Sequence, residues 1–338
     1  MERIEAEVTD RANLAKATLM WLSRAKDRIT LSQVIEVLAV EINESQLDST
    51  NLHEVEDIVA ACAGFVIVTT DNSYTHFRDG DGPCHYFQLA HHTISEFLER
   101  TQQTWFPTAD AQMAHTCLAY LLFKDFCDDF PPRLQPARTL ALSVKYPFYR
   151  YAAENWGVHC LEGAVQLDDK VFEFLESDSR LIASLDTTRN PRRVEEGDYL
   201  PYSSGLHEAI KFGLEDTAIA LIQRGHDPTM QIHDYERPLI LAARAGLETV
   251  VRMLLTFPQV TKTIDEENRD FQTAFFEACR GGNANIIKLL LDSGADPEAS
   301  GMSSEFSDSL TPLMLAAVRG DESLVATLLS HSRVRPFA

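Results

Sequence analysis

The sequence predicts a mainly α-helical protein that ends in a solenoid of short helical repeats. The main observation is a motif in which a large apolar residue is followed three positions later by alanine and, after four more, by glycine. The motif occurs four times, with steps of 33, 36 and 38 residues between copies. The alanines of the four copies are Ala209, Ala242, Ala278 and Ala316. Before the repeats, apolar residues recur mostly at helical spacing.

The composition predicts a chain with a sizeable apolar core and a strong negative charge. Of its 338 residues, 45% are hydrophobic and 24% are charged, and this length is typical of two or three domains. There are 30 Lys and Arg against 51 Asp and Glu, for a formal net charge of −21. Because binding to nucleic acid or to an anionic membrane depends on Lys and Arg, we expect neither as a direct partner.

The cysteine pattern and the first residues indicate a reducing compartment. None of the six cysteines forms a Cys-x-x-Cys pair, and the first ten residues contain no apolar signal-peptide segment. We therefore expect a cytoplasmic protein, with the nucleus as the alternative.

The repeat motif resembles the ankyrin repeat over residues 202–332. A second apolar helical pattern follows each copy, so each repeat is expected to be a helix pair. The alanine allows the helices to approach closely, and the glycine suits the left-handed conformation that ends a helix. Pro238 and Pro312 fall in the first helical turn, where a missing N–H is tolerated. A polar insert, Ser300–Ser309, precedes the fourth copy. The resemblance implies protein–protein recognition.

The N-terminal part predicts three helices followed by a two-stranded wing, which is the plan of a winged helix. A capping residue, Thr30, precedes the second helix. The predicted helices are Leu14–Lys26, Leu31–Val40 and Leu52–Cys62, and the predicted strands are Phe65–Val68 and Tyr86–Ala90. The third helix has three acidic residues near its start and no basic residue, so we expect it to pack against protein rather than to bind DNA.

Further motifs resemble the part of fungal NACHT–ankyrin proteins, a group of NLR-like signalling proteins, that follows their NACHT NTPase. The motifs are Leu-Met-Trp-Leu-Ser-Arg-Ala25, a His-x-Thr-x-x-Glu-Phe-Leu run from His91, and a Tyr-Pro-Phe-Tyr-Arg-Tyr-Ala-Ala-Glu-Asn-Trp156 run. The resemblance implies a winged-helix domain over 1–98, a helical connector over 99–200 and about four ankyrin repeats over 201–338. The alternative for residues 99–200, without the resemblance, is a third helical domain with its own core.

The sequence lacks the motifs of the common catalytic sites. It has no Gly-x-x-x-x-Gly-Lys-[Ser/Thr] phosphate loop, so we expect no nucleotide hydrolysis, no cofactor and no enzymatic activity. The chain starts at about the place where the NTPase of the family would end, which fits a natural short form or a fragment. In the family, the histidine that matches His91 contacts the phosphates of ADP. Without a phosphate loop, a structural role is the simpler expectation for His91.

A metal site near the wing is also not expected. His76, Cys84, His85, His91 and His92 lie close in sequence, but their spacing matches no zinc pattern. We interpret the pair Glu266-Glu267 as solvated surface, and His207 and Glu208 as framework residues of the first repeat.

The candidate protein-binding residues lie in the repeats. Lys211, Arg244 and Arg280 occupy the same motif position, two residues after the alanine, and Arg319 lies one residue later in its copy. As stacked residues they would form a positive row on a concave face and select an acidic partner segment, and reversing their charge would leave the fold intact. The alternative is that they only solvate the helices. Tyr235 and Phe271, at predicted hairpin tips, are candidate contact residues.

The sequence therefore predicts a non-enzymatic adaptor or scaffold for protein–protein interaction, related to fungal NLR-like signalling proteins. One alternative is a transcription co-regulator that acts through a DNA-binding partner. Another is a fragment of a NACHT NTPase receptor that lacks the phosphate-loop half.

Overall fold

The computed structural model describes residues 4, 9–71, 84–126, 144–188, 203–303 and 306–330. The chain divides into two compact units, Met1–Val194 and Glu195–Ala338. Both units are mainly helical. The segments that we assigned to a winged helix, 1–98, and to a helical connector, 99–200, lie in the first unit as far as Val194, and their division into two domains stays a prediction.

The first unit contains eight described helices longer than one turn and one antiparallel strand pair. They are α1 (Thr9–Arg24), α2 (Leu31–Leu38), α3 (Val55–Ala61), β1 (Val66–Asp71), β2 (Cys84–Leu89), α4 (His92–Trp105), α5 (Ala109–Leu121), α6 (Phe148–Glu162), α7 (Asp169–Leu175) and α8 (Asp178–Thr188). Thr30 caps α2 as predicted, because its hydroxyl accepts the N–H of Gln33 while its own N–H donates to the Gln33 side chain. In the strand pair, Val66 lies opposite Leu89.

An aromatic core joins the two halves of the first unit. The ring of Trp21 in α1 meets the ring of Phe148 in α6 edge to face, with centroids 5.3 Å apart, and Tyr120 in α5 contacts the same ring at 5.3 Å. The buried carboxylate of Glu36 in α2 accepts the N–H of Phe148 at 2.7 Å. Burial raises the pKa of Glu36 despite this hydrogen bond. Helices from both segments thus share one core.

The second unit is an array of four helix pairs. Its elements are α9 (Gly205–Lys211), α10 (Glu215–Gln223), α11 (Pro238–Ala245), α12 (Glu248–Leu254), α13 (Pro258–Lys262), α14 (Ala274–Gly281), α15 (Ala284–Asp292), β3 (Gly301–Ser303), β4 (Phe306–Leu310), α16 (Pro312–Arg319) and α17 (Glu322–Leu329). The first helices of the pairs stack in the order α9, α11, α14 and α16. Each pair buries one apolar face against its neighbours, which is how solenoids build a continuous core.

The structure confirms the predicted repeat register. The four motif alanines are all fully buried. The motif glycines that end α11, α14 and α16 have φ values of 74°, 68° and 67°, in the left-handed region. Pro238 and Pro312 are the first residues of their helices. The sequence motif thus marks the places where helices touch and where each first helix ends.

Two departures from the regular repeat have defined structures. The lengthened second repeat contains the extra short helix α13. The polar insert contains the antiparallel strands β3 and β4, with Gly301 opposite Leu310. Gly301 lies so close to the ring of Phe276 that a Cβ atom there would come within 2.6 Å of it. Phe276 shares a small core with Leu310 and Leu315, so the insert covers part of the third repeat.

Among the described residues, the search for a helix that is both long and apolar enough to cross a membrane finds none.

Candidate functional site

The three predicted basic residues, which we call the basic row, are all paired with glutamates of the repeats. The ammonium of Lys211 lies 2.7 Å from the carboxylate of Glu208. The guanidinium of Arg244 lies 2.8 Å from Glu236, and that of Arg280 lies 2.6 Å from Glu277. The side chains of the basic row are only 30–36% exposed. The row is therefore not a line of uncompensated positive charges.

Arg244 also connects two repeats. Its Nε atom lies 3.2 Å from Oε2 of Glu277, the same oxygen that Arg280 contacts, and the Glu277 side chain is fully buried. Burial disfavours the charged guanidinium, but the nearby carboxylates of Glu236 and Glu277 outweigh burial and raise the pKa of Arg244. Arg244 is therefore a charged structural link between the second and third repeats.

Arg319 has a similar local role in the fourth repeat. Its guanidinium donates to the backbone carbonyl of Arg280 at 2.6 Å. Partner binding by Arg319 and the basic row stays a prediction. Their local contacts weaken the long-range positive field on which we based an acidic partner.

Tyr235 and Phe271 lie at successive hairpin tips and are both exposed. Their side chains are 50% and 58% exposed, among the most exposed large hydrophobic residues of the described chain. Both have a left-handed backbone, with φ values of 58° and 57°. Bulky residues rarely adopt this conformation, and such strain is often found at binding sites.

Hydrogen bonds of the surrounding loop hold the Phe271 tip in place. The buried side chain of Asn268 accepts the N–H groups of Asp270 and Gln272, both at 3.0 Å. Its amide group donates to Glu236, the residue after Tyr235, at 3.0 Å. The tip conformation is therefore set by a polar network and not by packing of the Phe271 ring.

Two further bonds join the tips to each other. The backbone N–H of Arg269 donates to the carbonyl of Asp234 at 2.8 Å, and its guanidinium lies 3.1 Å from the Asp234 carboxylate. The pKa of Asp234 is lowered, because its bonds to Arg269 and His233 outweigh the effect of burial. Tyr235 and Phe271 are thus presented by two mutually braced loops.

The two aromatic residues line one open groove of about 740 Å³, which we call the tip groove. The groove is lined by three acidic residues, together with two cations and the side chains that brace the tips. Its lining residues are Tyr235, Lys262, Thr263, Asp265, Glu266, Glu267, Asn268, Arg269 and Phe271. An exposed aromatic pair beside charged groups is suited to a peptide segment of a partner protein.

Sequence reasoning missed most of this lining. Glu266 and Glu267 are exposed, in line with our interpretation of the pair as solvated surface, but that interpretation did not foresee that both line the tip groove. The role of Asn268 was also missed, although an Asn between polar residues at a predicted hairpin is a signal for a side-chain-braced turn. For the basic row, the signal was the i,i+3 spacing of Glu208 to Lys211 and of Glu277 to Arg280.

His207 and Glu208 occupy buried framework positions, in line with our interpretation. His207 is completely buried, and its Nδ1 atom shares a 2.7 Å hydrogen bond with the hydroxyl of Ser204. Burial, aided by the positive charge of Lys211, lowers the pKa of His207 to about 3. His207 is therefore neutral in the folded chain at physiological pH.

His91 is the N-cap of α4. Its Nδ1 atom accepts the N–H of Thr93 at 3.2 Å, and its ring contacts the tilted ring of His92 with centroids 4.1 Å apart. This geometry gives His91 a local structural role. A contact of His91 with nucleotide phosphates, as the family resemblance implies, stays untested.

The residues weighed as metal ligands near the wing have other contacts in the part of the chain that the structure describes. Nδ1 of His85 lies 3.0 Å from the hydroxyl of Thr70. Within the described ranges, no group of three or more His, Cys, Asp and Glu side chains has a metal-binding arrangement. His76 lies outside the described residues.

Comparison with known proteins identifies the repeats. Residues 206–301 match the family model of ankyrin repeats (3 copies), and α16 and α17 form a fourth helix pair beyond the match. The chain therefore contains ankyrin repeats, as the motif predicted. Because such repeats present extended binding surfaces, a protein-binding role follows for this unit.

Relatives of known description share either the repeats or a longer part of the chain. The chain is 22% identical over 79% of its length to the azaphilone pigments biosynthesis cluster protein L of Monascus ruber, and spans 52% of that protein. It is 37% identical over 39% of its length to the ankyrin repeat and KH domain-containing protein mask-1 of Caenorhabditis elegans, and spans 5% of it. It is 28% identical over 48% of its length to human SH3 and multiple ankyrin repeat domains protein 2, and spans 8% of it.

Proposed function

We propose that the chain is a non-enzymatic adaptor that binds a segment of a partner protein in the tip groove. One observation carries the proposal: Tyr235 and Phe271 are both exposed, both have positive φ, and both line the same groove. A left-handed bulky residue costs about 1–3 kcal/mol and persists only where the surroundings impose it. Here the Asn268 network and the Arg269–Asp234 bonds impose it.

The bracing of the tips favours binding. Since the loops are held by hydrogen bonds, less conformational freedom is lost when a partner orders the two aromatic side chains. Aromatic residues that are rigidly presented are frequent anchors of protein interfaces.

The charges of the tip groove define the partner segment. Asp265, Glu266 and Glu267 contribute three carboxylates, against the cations of Lys262 and Arg269. Arg269 is bound to Asp234 and Glu266 lies 3.8 Å from Arg237, which leaves the carboxylates of Asp265 and Glu267 against Lys262. The expected segment carries an apolar side chain for the aromatic pair and a Lys or Arg for the carboxylates. This proposal differs from the acidic partner that we inferred from the sequence of the basic row.

Selection from a random peptide library with the full chain tests the proposal. We expect enrichment of peptides with an apolar residue near Lys or Arg, and loss of their binding in the Tyr235→Ala, Phe271→Ala double variant. Met314→Ala is a matched control, because Met314 is 48% exposed but does not line the groove. Undiminished binding to the double variant would reject the tip groove as the site.

We further propose that the chain is related to fungal NLR-like signalling proteins and works in the cytoplasm, with a winged helix at 1–98, a helical connector at 99–200 and ankyrin repeats at 201–338. The order α1, α2, α3, β1, β2 supports the winged-helix assignment. The fungal relative that aligns with 79% of the chain supports a shared architecture outside the repeats. The missing phosphate loop supports a role without catalysis.

A further inference from the structure

The outer edge of β1, in the first unit, has unused backbone hydrogen-bonding groups. Among the described residues, β1 pairs with β2 alone. The bond from the N–H of Ala90 to the carbonyl of Phe65 sets the alternation of the ladder, with Val66 opposite Leu89. In an antiparallel pair, residues that bond to the partner strand alternate with residues whose N–H and C=O groups point away from it. In β1 these outward-facing residues are Val66, Val68 and Thr70; Val66 is only 1% exposed, so the accessible groups are those of Val68 and Thr70.

Within the described ranges, no other backbone group bonds to the outward groups of these three residues. An edge of this kind is a template for one more strand, because an extended peptide can satisfy each outward donor and acceptor.

An apolar groove lies directly beside this edge. It has a volume of about 500 Å³ and runs between α3 and β1. Val55, Val59 and Ala60 line the α3 side, and Ile67 and Val68 line the β1 side. The side chains of Ile67 and Val68 are 43% and 41% exposed, although branched apolar residues in strands usually pack against a neighbour.

The α3 side of the groove is negatively charged. Glu56 lines the groove itself, and Glu56 and Asp57 are exposed acidic residues of the first turn of α3. No basic residue occurs in α3. Arg28, near the far end of β1, is bound to Asp71 and stacks on the ring of Tyr86. A ligand of the groove therefore meets carboxylates at α3 and no competing free cation there.

We propose that this α3–β1 groove binds an extended segment of a partner protein, which adds as a third strand to the edge of β1. The segment alternates branched apolar residues, which enter the groove, with Lys or Arg residues, which pair with Glu56 and Asp57. Main-chain hydrogen bonds to Val68 and Thr70 hold the segment at the edge, and the groove and the carboxylates determine the sequence preference. This site is independent of the tip groove.

The test uses the full chain and a blocked peptide of alternating lysine and valine as the probe, with a peptide of alternating glutamate and valine as its counterpart. Amide hydrogen exchange is followed by NMR. We expect the lysine peptide to slow exchange at Val68 and Thr70 at least tenfold, and the glutamate peptide to have no effect. The double variant Glu56→Lys, Asp57→Lys should raise the Kd for the lysine peptide at least tenfold.

Two substitutions distinguish strand addition at the β1 edge from nonspecific binding to exposed apolar residues. Ile67→Ser should weaken binding of the lysine peptide at least tenfold, whereas Leu161→Ser should leave it unchanged, because Leu161 is equally exposed at 43% but lies on α6. Val68→Pro should abolish the protection, since proline removes the outward N–H. If this variant fails to fold, the Ile67 and Glu56 variants still decide the question.

Three results would overturn the proposal. Equal binding of the two peptides would mean that the carboxylates of Glu56 and Asp57 do not select the partner segment. Strong protection of Val68 and Thr70 without any peptide would mean that the edge is already covered, by residues 72–83 or by a second copy, which light scattering distinguishes. Binding with no change in exchange at these amides would place the peptide elsewhere.

Discussion

Arg244 and Glu277 form an ion pair across the boundary between the second and third repeats, with Nε and Oε2 3.2 Å apart. Glu277 is buried, and it is also bound by Arg280 of its own helix. Removing one partner from a buried ion pair leaves a charge without compensation, which is more costly than losing a surface pair. Arg244, which we first considered for partner binding, therefore holds two repeats together.

Charge reversal at Arg244 should destabilise the repeats, contrary to our expectation from sequence that the fold would stay intact. Arg244→Glu places a carboxylate beside Glu236 and Glu277 and should lower the free energy of unfolding by about 3–5 kcal/mol. Urea unfolding followed by circular dichroism measures the change. Arg252→Glu is the control, because Arg252 is 59% exposed and pairs with Glu248 on its own helix; it should cost less than about 1 kcal/mol. Equal effects of the two substitutions would contradict the structural role.

Two adjacent glycines of the third repeat should respond in opposite directions to alanine. Gly282 has a φ of 68°, whereas Gly281 is the last residue of α14, and a Cβ atom would meet nothing within 4 Å at either position. Gly282→Ala should therefore cost about 1–2 kcal/mol through backbone strain alone. Gly281→Ala should be neutral or stabilise by up to about 1 kcal/mol. Thermal unfolding of both variants measures this, and a destabilising Gly281→Ala would place the helix end elsewhere.

Relieving the backbone strain at the Phe271 tip should increase the stability of the chain but weaken its binding of peptides. Phe271→Asn replaces an exposed ring by a residue that tolerates positive φ, so the free energy of unfolding should rise by up to about 1 kcal/mol. The same substitution removes an aromatic anchor, so binding of library-selected peptides should weaken at least tenfold. Melting temperature and peptide affinity are measured on the same preparation. A loss of stability would show that the Phe271 ring is held by packing.

Acid should weaken the second unit through His207. Its pKa is about 3 when folded, against an ordinary value of 6.5, so the unfolded chain binds the proton more tightly. The free energy of unfolding is therefore highest above pH 6.5 and falls as the pH drops from 6.5 towards 3. At pH 5 it is lower by about 2 kcal/mol. His207→Gln should lack this loss.

The comparison of the His207 variant with the wild type at each pH also removes other titrating groups from the result. The pKa of His159, in the first unit, is also lowered, mainly by burial. Urea unfolding of both proteins at pH 7.5 and pH 5.0 gives four free energies of unfolding. The double difference between them isolates the contribution of His207 to the pH dependence. A difference near zero would mean that His207 is accessible to protons in the folded chain.

ATP should bind neither to the chain nor to its His91→Ala variant. The sequence has no phosphate loop, and His91 is engaged as the N-cap of α4. Isothermal titration with ATP and magnesium should give heats of dilution only. Saturable binding that is lost in the His91→Ala variant would revive a nucleotide-sensing role.

The repeat register could be predicted because it depends on local rules. Ala242 and Ala278 are small where helices touch, and Gly246 and Gly282 are flexible where a helix ends, so each residue type reports its own position. The cap at Thr30 was predicted for the same reason. Helix lengths were less accurate: the third helix begins at Val55 and not at Leu52.

The partners of the charged residues could not be predicted with the same success. Glu236 and Glu277 meet Arg244 from a loop and from the next repeat, so their proximity exists only after the repeats stack. The two aromatic tips could be placed at hairpins from their sequence position. That they share one groove depends on α13 and the acidic loop after it, which are the part of the second repeat that departs from the regular pattern.

The two compact units also differ in a way that bears on spectroscopy. The chain has three tryptophans, at positions 21, 105 and 156, and all of them belong to Met1–Val194. Indole emission therefore reports on the first unit alone, whereas the far-ultraviolet signal of peptide groups comes from both. A single denaturation series recorded with both probes can thus resolve the melting of the repeats from that of the aromatic core without any label.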